Sequence, residues 1–334
     1  MDLNSIFTYS FWVIFAIAFI VDFRFTSVGN KTMSVKSAIS WTLFWISIAF
    51  IYDAFIYGFY PQNPGTTIST AHTMGLKFLS GFLMEKSLSV DNLFVFIVIF
   101  SSMGIKENKQ VKLLKLGILL SIVLRIIFIL AGMSLVNQFE WLFYVFGAIL
   151  VITSVKMLVK KDDLEEIHPE ENMLYKWTSK IFPIDAHSDK FILRKNGKIH
   201  VSYLFLTLLV IASTDVLFAV DSIPAIIGII REGAEGILTN DQENFIAISS
   251  NMFAVMGLAS LYFALKSIMN SFHYLKVGVA FILAFIGFKM LVADAPIFRD
   301  IFENYQWLSF AVIVSAILFS ILASIIKNKR EERI

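Results

Sequence analysis

The chain has 334 residues, 57% of them hydrophobic and 16% charged, against roughly 45–50% and about 25% in soluble domains. That excess excludes an ordinary soluble enzyme. There is no cysteine and the formal charge is only +2, so disulfides, thiolate metal sites and thiol redox relays are excluded, no nucleic-acid partner is indicated, and a metal must sit on oxygen or histidine ligands.

Phe occurs 34 times, and the apolar residues fall in long runs separated by short polar breaks, as in a chain whose solvent is lipid. Runs able to span roughly 30 Å of hydrocarbon lie at about 6–23, 38–59, 73–103, 113–133, 139–159, 201–230, 246–268, 274–292 and 306–326. The expected fold is an all-α polytopic membrane protein of about nine transmembrane helices, forming a single transmembrane domain over residues 1–334. The start Met1-Asp2-Leu3 lacks the basic segment of a cleavable signal, so the first run reads as a retained helix. With the N-terminus outside, 22 of the 28 Lys and Arg fall on inner segments, which predicts an N-out, C-in orientation. Residues 160–199 read as a cytoplasmic loop with one amphipathic helix, too short for a domain of its own.

Two pairs of segments repeat. EKSLSVDNL (85–93) aligns with DVLFAVDSI (215–223) at an offset of 130, and AILVITSVKMLV ending at Val159 aligns with FILAFIGFKMLV ending at Val292 at an offset of 133. The unit is three spans, about 73–159 against 201–292, and an odd number of spans inverts the second copy in the membrane. Inverted repeats that meet at the bilayer midplane are a transporter architecture.

Four carboxylates fall near the middle of spans: Glu85 and Asp91 in the third, Asp215 and Asp221 in the sixth. Each costs about 2.5–3.5 kcal/mol if ionised at a helix centre, so a cationic partner, a proton or a bound cation must offset them. The fixed cations nearby are Lys86, about 100° round the helix from Glu85, and Arg125 in the fourth span, which could neutralise the emptied acidic site. Acids at i and i+6 sit about 120° from registry, so Glu85 and Asp91 share a site only if the helix deforms. Pro224 predicts such a deformation in the sixth span, because the Val220 carbonyl loses its helical donor beside Asp221 and Ser222. Asn92 is the counterpart in the third span; Asn251 and Asp53 are auxiliary oxygen ligands, Asp53 also a candidate proton carrier. Asp22 beside Arg24 reads as an interfacial ion pair. Carboxylate, amide and carbonyl oxygens suit a hard divalent ion.

The stretches EKSLSVDNLFVF (85–96), STDVLFAVDSIPAI (213–226), SSNMFAVMGLASLYF (249–263) and FHYLKVGVAFILAFIGFKML (272–291) resemble the signature blocks of the TerC family of integral membrane proteins, most closely its Alx branch, over roughly residues 10–325. The resemblance implies manganese export across the bacterial inner membrane, with Glu85, Asp91, Asp215 and Asp221 as the metal pathway. Two departures stand out: the family often has a Glu where this chain has Ala212, and Asp53 stands where Asn is common.

Residues and resemblance together predict a secondary transporter for Mn²⁺, with Ca²⁺ as the alternative cargo, coupled to protons by antiport and needing no prosthetic group. Asp91 and Asp221 are the expected central ligands, with Glu85 toward the outer side and Asp215 toward the inner. An intramembrane enzyme would need a catalytic set; Tyr52-Asp53 lacks the GxGD partner of the aspartyl proteases, and no nucleotide-binding loop supports a pump. The competing class is an assembly or metalation factor partnered with a translocase or protease.

Overall fold

A computed structural model describes residues 3–25, 33–159 and 173–331, apart from 186–187, 189, 196, 235, 269–273, 293–294 and 296–306; within its helices, the side chains of Asp91 and Asp221 also lie outside what is described. Five helices make the first half: α1 Leu3–Phe25, α2 Val35–Phe59, α3 Thr70–Ser102, α4 Glu107–Gln138 and α5 Trp141–Val159. A short α6, Met173–Ile181, leads into three strands, β1 Ile184–Asp185, β2 Ile192–Lys195 and β3 Lys198–Ser202. The second half is α7 Tyr203–Arg231, α8 Asn240–Val255, α9 Leu258–Ile268, α10 Leu275–Leu291 and α11 Trp307–Glu331.

Each apolar run is therefore helical. Among the described residues, six helices are long and apolar enough to cross a bilayer alone, within α1, α2, α4, α5, α7 and α11, and the bent α8–α9 pair makes a seventh. In α10 the apolar part, Val277–Leu291, is shorter. At 33 residues, α3 is about 50 Å long, yet it carries Lys77, Glu85, Lys86 and Asp91. The chain is a polytopic helical membrane protein. Lipid is a good solvent for side chains such as Phe55, Val159 and Phe319, which are exposed on the outer faces of α2, α5 and α11.

The marked break in the helices lies elsewhere than at Pro224. Helix α7 continues through Pro224, whereas the chain bends by 43° between α8 and α9. Gly257 makes this turn with φ +71°, and a Cβ there would lie 2.8 Å from Trp45 Cδ1. Only glycine combines that conformation with that proximity.

The 160–199 segment also holds more than a helix. Beside α6 lies a small sheet in the order β1-β3-β2, with β3 parallel to β1 and antiparallel to β2. Lys195 pairs with Lys198 across a two-residue connection, and Gly197 has φ +75°. The Asn196-Gly197 dipeptide is the short-range hairpin signal.

Contacts fix the helix directions. Gly117 of α4 packs on Ile211, and Gly132 on Ile223 and Ile227, so α4 runs parallel to α7. Gly81 of α3 packs on Ser250, and Lys86 reaches Ala254 and Met256, so α3 runs parallel to α8. Near the start of α3, Lys77 donates to carbonyls at the end of α7, so those two helices are antiparallel. Shifting Gly81 by 130 gives Ile211, and shifting Gly117 by 133 gives Ser250. Gly81 on Ser250 and Gly117 on Ile211 are thus one contact made twice with partners exchanged. Helices α5 and α10 meet backbone to backbone: a Cβ on Gly287 would lie 2.7 Å from the Gly147 carbonyl oxygen, and one on Gly147 2.9 Å from that of Gly287. The buried stripe Gly147, Leu150, Ser154 falls at the offset of 133 on Ala280, Leu283, Gly287, so both helices present small–Leu–small.

Because backbone lies on both sides of that crossing, a side chain at Gly287 forces the helices apart. Gly287→Val should lower stability by about 1–3 kcal/mol, seen as a fall in the melting temperature of the detergent-purified protein. Gly58→Ala, where nothing lies within 4 Å, should not lower it.

Candidate functional site

On α3, Glu85, Ser89 and Asn92 follow one another at helical spacing and share a face. On α7, Asp215 and Ser222 occupy the corresponding positions, seven apart, about 20° from alignment. Glu85 and Asp215 are buried, at 0% and 4% exposure. Between them α4 inserts Arg125, itself 2% exposed. Its Nη1 pairs with Glu85 Oε1, and its Nη2 lies 3.5 Å from Asp215 Oδ1. Arg125 Nε donates to Ser121 Oγ one turn back, at 3.0 Å. The hydrogen-bond network orients the Asn92 amide so that Oδ1 accepts from Arg125 Nη2 and Nδ2 donates to the Leu88 carbonyl, both at 3.2 Å. One guanidinium therefore ties three helices together through two carboxylates and an amide.

The cluster is oxygen-rich and incompletely satisfied. Glu85 Oε2, Asp215 Oδ2 and Ser222 Oγ are buried without a hydrogen-bond partner, as are Ser87 Oγ, on another face of α3, and both amide atoms of Asn251 on α8. Such groups are costly in a dry interior unless a ligand or water meets them. Asn251 follows Ser250, which packs on Gly81 one turn before Glu85.

The structure separates some of the sequence candidates. Helix α3 is unbroken, so Asp91 lies about 120° round from Glu85, and Asp221 stands in the same relation to Asp215 on α7. The side chains of Asp91 and Asp221 lie outside the described residues. Asp53 packs near Gly75, ten residues before Glu85, which is about 15 Å along α3, and so stands apart from the cluster. Among the described residues no three His, Asp or Glu side chains converge as a metal nest.

Three other buried cations have tasks of their own. Lys86 caps the break between α8 and α9, donating to the Ala254 and Met256 carbonyls at 3.1 and 2.9 Å. Lys77 donates to the Ile229 carbonyl at 2.8 Å and to that of Glu232, and Lys289 pairs with the Glu232 carboxylate. Sequence reading missed these roles, although a lysine deep in an apolar span was itself the signal. Asp22, expected beside Arg24, accepts from the Trp41 and Trp45 indoles at 3.0 and 2.8 Å. Glu107, at the start of α4 and outside the spans, accepts from Lys266 Nζ of α9 at 2.6 Å, which holds its carboxyl below the usual range.

Comparison with known proteins places this geometry. Residues 70–332, which carry the whole cluster, match the integral membrane protein TerC family. The chain belongs to the TerC family. A relative from Salmonella typhi, provisionally named a membrane-bound redox modulator, Alx, is 39% identical over 80% of this chain and 79% of its own. An uncharacterized membrane protein of Myxococcus xanthus is 37% identical over 88% of this chain and 84% of its own. One from Rickettsia conorii is 32% identical over 95% and 97%. No solved structure matches the chain.

Removing one member of a buried ion pair leaves an uncompensated charge. Glu85→Ala should destabilise the protein by about 3–5 kcal/mol, read by denaturant titration of the purified protein. Lys86→Met removes bonds from a charged donor at the helix break and should cost about 1.5–3 kcal/mol in the same assay.

Proposed function

We propose that this TerC family protein is a secondary transporter that exports a divalent metal cation, Mn²⁺ foremost and Ca²⁺ as the alternative, across the bacterial inner membrane. The observation that carries the reading is the pair Glu85 and Asp215, aligned in the sequence repeat, buried between α3, α4 and α7, each with a carboxylate oxygen lacking a hydrogen-bond partner. Ser222, on the face of Asp215, and Asn251 add unsatisfied buried oxygens, and an oxygen donor set favours hard ions over Zn²⁺ or Cu. The redox designation of the Alx relatives does not extend to thiol chemistry in this chain, which has no cysteine.

In this reading the chain crosses the membrane nine times, N-terminus out and C-terminus in, and residues 73–159 and 201–292 are inverted repeats that rock against each other. Asp91 and Asp221 ligate the ion at the centre, with Glu85 on the outer approach and Asp215 on the inner. Adjacent carboxylates disfavour one another's charge when empty, so a proton taken up on metal release makes the cycle an antiport.

Purified protein in proteoliposomes should carry Mn²⁺ in preference to Mg²⁺, faster with an opposing proton gradient than without. Asp91→Asn and Asp221→Asn should each slow flux about tenfold or more, equivalent to losing roughly 1.4 kcal/mol at the site. Wild-type export by either variant, or no flux of Mn²⁺, Ca²⁺ or Mg²⁺ through the native chain, overturns the proposal.

A further inference from the structure

We propose that Arg125 is a tethered cation that holds the metal's carboxylates in the empty carrier, so that divalent cargo binds by displacing its guanidinium from Glu85 and Asp215. The inference rests on the export reading and adds to it the identity of the group the cargo competes with.

Its geometry is that of a stand-in for an ion. The guanidinium lies between one acid from each aligned segment, paired with Glu85 Oε1 and 3.5 Å from Asp215 Oδ1. Carboxylate oxygens that accept from a guanidinium are the same atoms that coordinate a hard divalent cation. Both cannot be served at once at those positions. The opposite carboxylate oxygens, Glu85 Oε2 and Asp215 Oδ2, have no hydrogen-bond partner, so they keep lone pairs with which to coordinate an ion before the guanidinium has left. Once displaced, Arg125 still has Ser121 one turn back on its own helix, which takes its Nε at 3.0 Å in this structure and does not depend on the acids.

A single arginine serves both halves. Shifting Arg125 by 133 gives Leu258, just past the break at Gly257, so the second half supplies no equivalent cation. Nor do other lysines buried or half-buried among the described residues substitute: Lys86 is held by the Ala254 and Met256 carbonyls, Lys77 by those of Ile229 and Glu232, Lys115 by that of Phe23, and Lys289 by the Glu232 carboxylate. With the proton of the antiport cycle taken up at Asp91 and Asp221 on metal release, Glu85 and Asp215 would without Arg125 remain two buried carboxylates with no counter-charge of their own, a state that a low-dielectric interior strongly disfavours. The bound arginine lets the protonated, metal-free carrier reorient, and net export requires that step whereas one-for-one exchange does not.

The test measures Mn²⁺ binding to the detergent-purified full chain and Mn²⁺ movement in proteoliposomes. Removing a competitor raises the fraction of protein competent to bind, so Arg125→Gln should bind Mn²⁺ about tenfold more tightly than wild type. Its melting temperature should also rise more on adding Mn²⁺ than the wild type's does. Arg125→Lys keeps the charge but loses the planar fork, and should bind about two- to fivefold more tightly. In vesicles Arg125→Gln should exchange labelled for unlabelled Mn²⁺ yet fall about tenfold or more in net export, as a missing return step requires. Unchanged or weaker binding by monodisperse Arg125→Gln, or net export at the wild-type rate, overturns the inference. If Arg125→Gln does not purify as a folded protein, Arg125→Lys decides on the same binding criterion. A wild-type chain that neither binds nor carries Mn²⁺, Ca²⁺ or Mg²⁺ defeats the export reading itself, whereas a transporting wild type with unaltered affinity in the variants defeats only the role of Arg125.

Discussion

The structure depends on keeping charge inside a medium that rejects it. Glu85, Asp215 and Arg125 are all buried between α3, α4 and α7, where water cannot screen them and where each is tolerable only beside the others. This fixes the local sequence: Arg125 must come from α4, Ser121 must lie one turn back to hold its Nε, and Asn92 must lie two turns beyond Glu85 to take up the remaining fork. The surrounding helices are arranged to make that meeting accurate. Glycines at 81, 117 and 132 let α3 and α4 approach α8 and α7 closely, and close approach is what holds helices together where lipid removes the hydrophobic drive between them.

The two halves treat the same place differently. In the first half α4 is continuous and delivers a cation to the acids. In the second the related stretch is broken at Gly257, and its freed carbonyls take Lys86 from α3 instead. Both devices satisfy exposed polar groups with a long basic side chain, once for carboxylates and once for a helix end. The ends of the helices receive similar care: Lys77 and Lys289 gather on the final turn of α7 and on Glu232, where the helix dipole favours positive charge.

Much of this was legible in the sequence because lipid makes polar residues conspicuous. The helical class followed from run length, and Glu85, Asp215 and Arg125 were singled out as charges with nowhere else to go. Lys86 was set aside on spacing alone, since it stands about 100° round from Glu85; where it goes instead depends on a break in another helix that spacing cannot reveal. The break at Gly257 was not foreseen. Pro224 removes a donor, but a long helix packed on several sides tolerates one lost hydrogen bond, while Gly257 turns because Trp45 leaves no room for a Cβ and the backbone adopts a left-handed conformation. Asp53, read from the sequence as an auxiliary ligand or proton carrier, lies beside Gly75, toward the start of α3. The small sheet after α6 was announced only by Asn196-Gly197, a signal easily overlooked between long apolar runs.

The contact of Gly81 with Ser250, and of Gly117 with Ile211, has a consequence for symmetry. Exchange of partners between two copies is the rule of a two-fold homodimer interface, in which residue i meets j and j meets i. Two aligned segments of one chain that keep such a pair meet as two copies of one subunit would. In a strictly symmetric pair an arginine at the position of Arg125 would be present twice, crowding two cations onto one pair of acids. In this single chain the aligned position carries Leu258, so the cluster holds an odd charge that full symmetry would forbid.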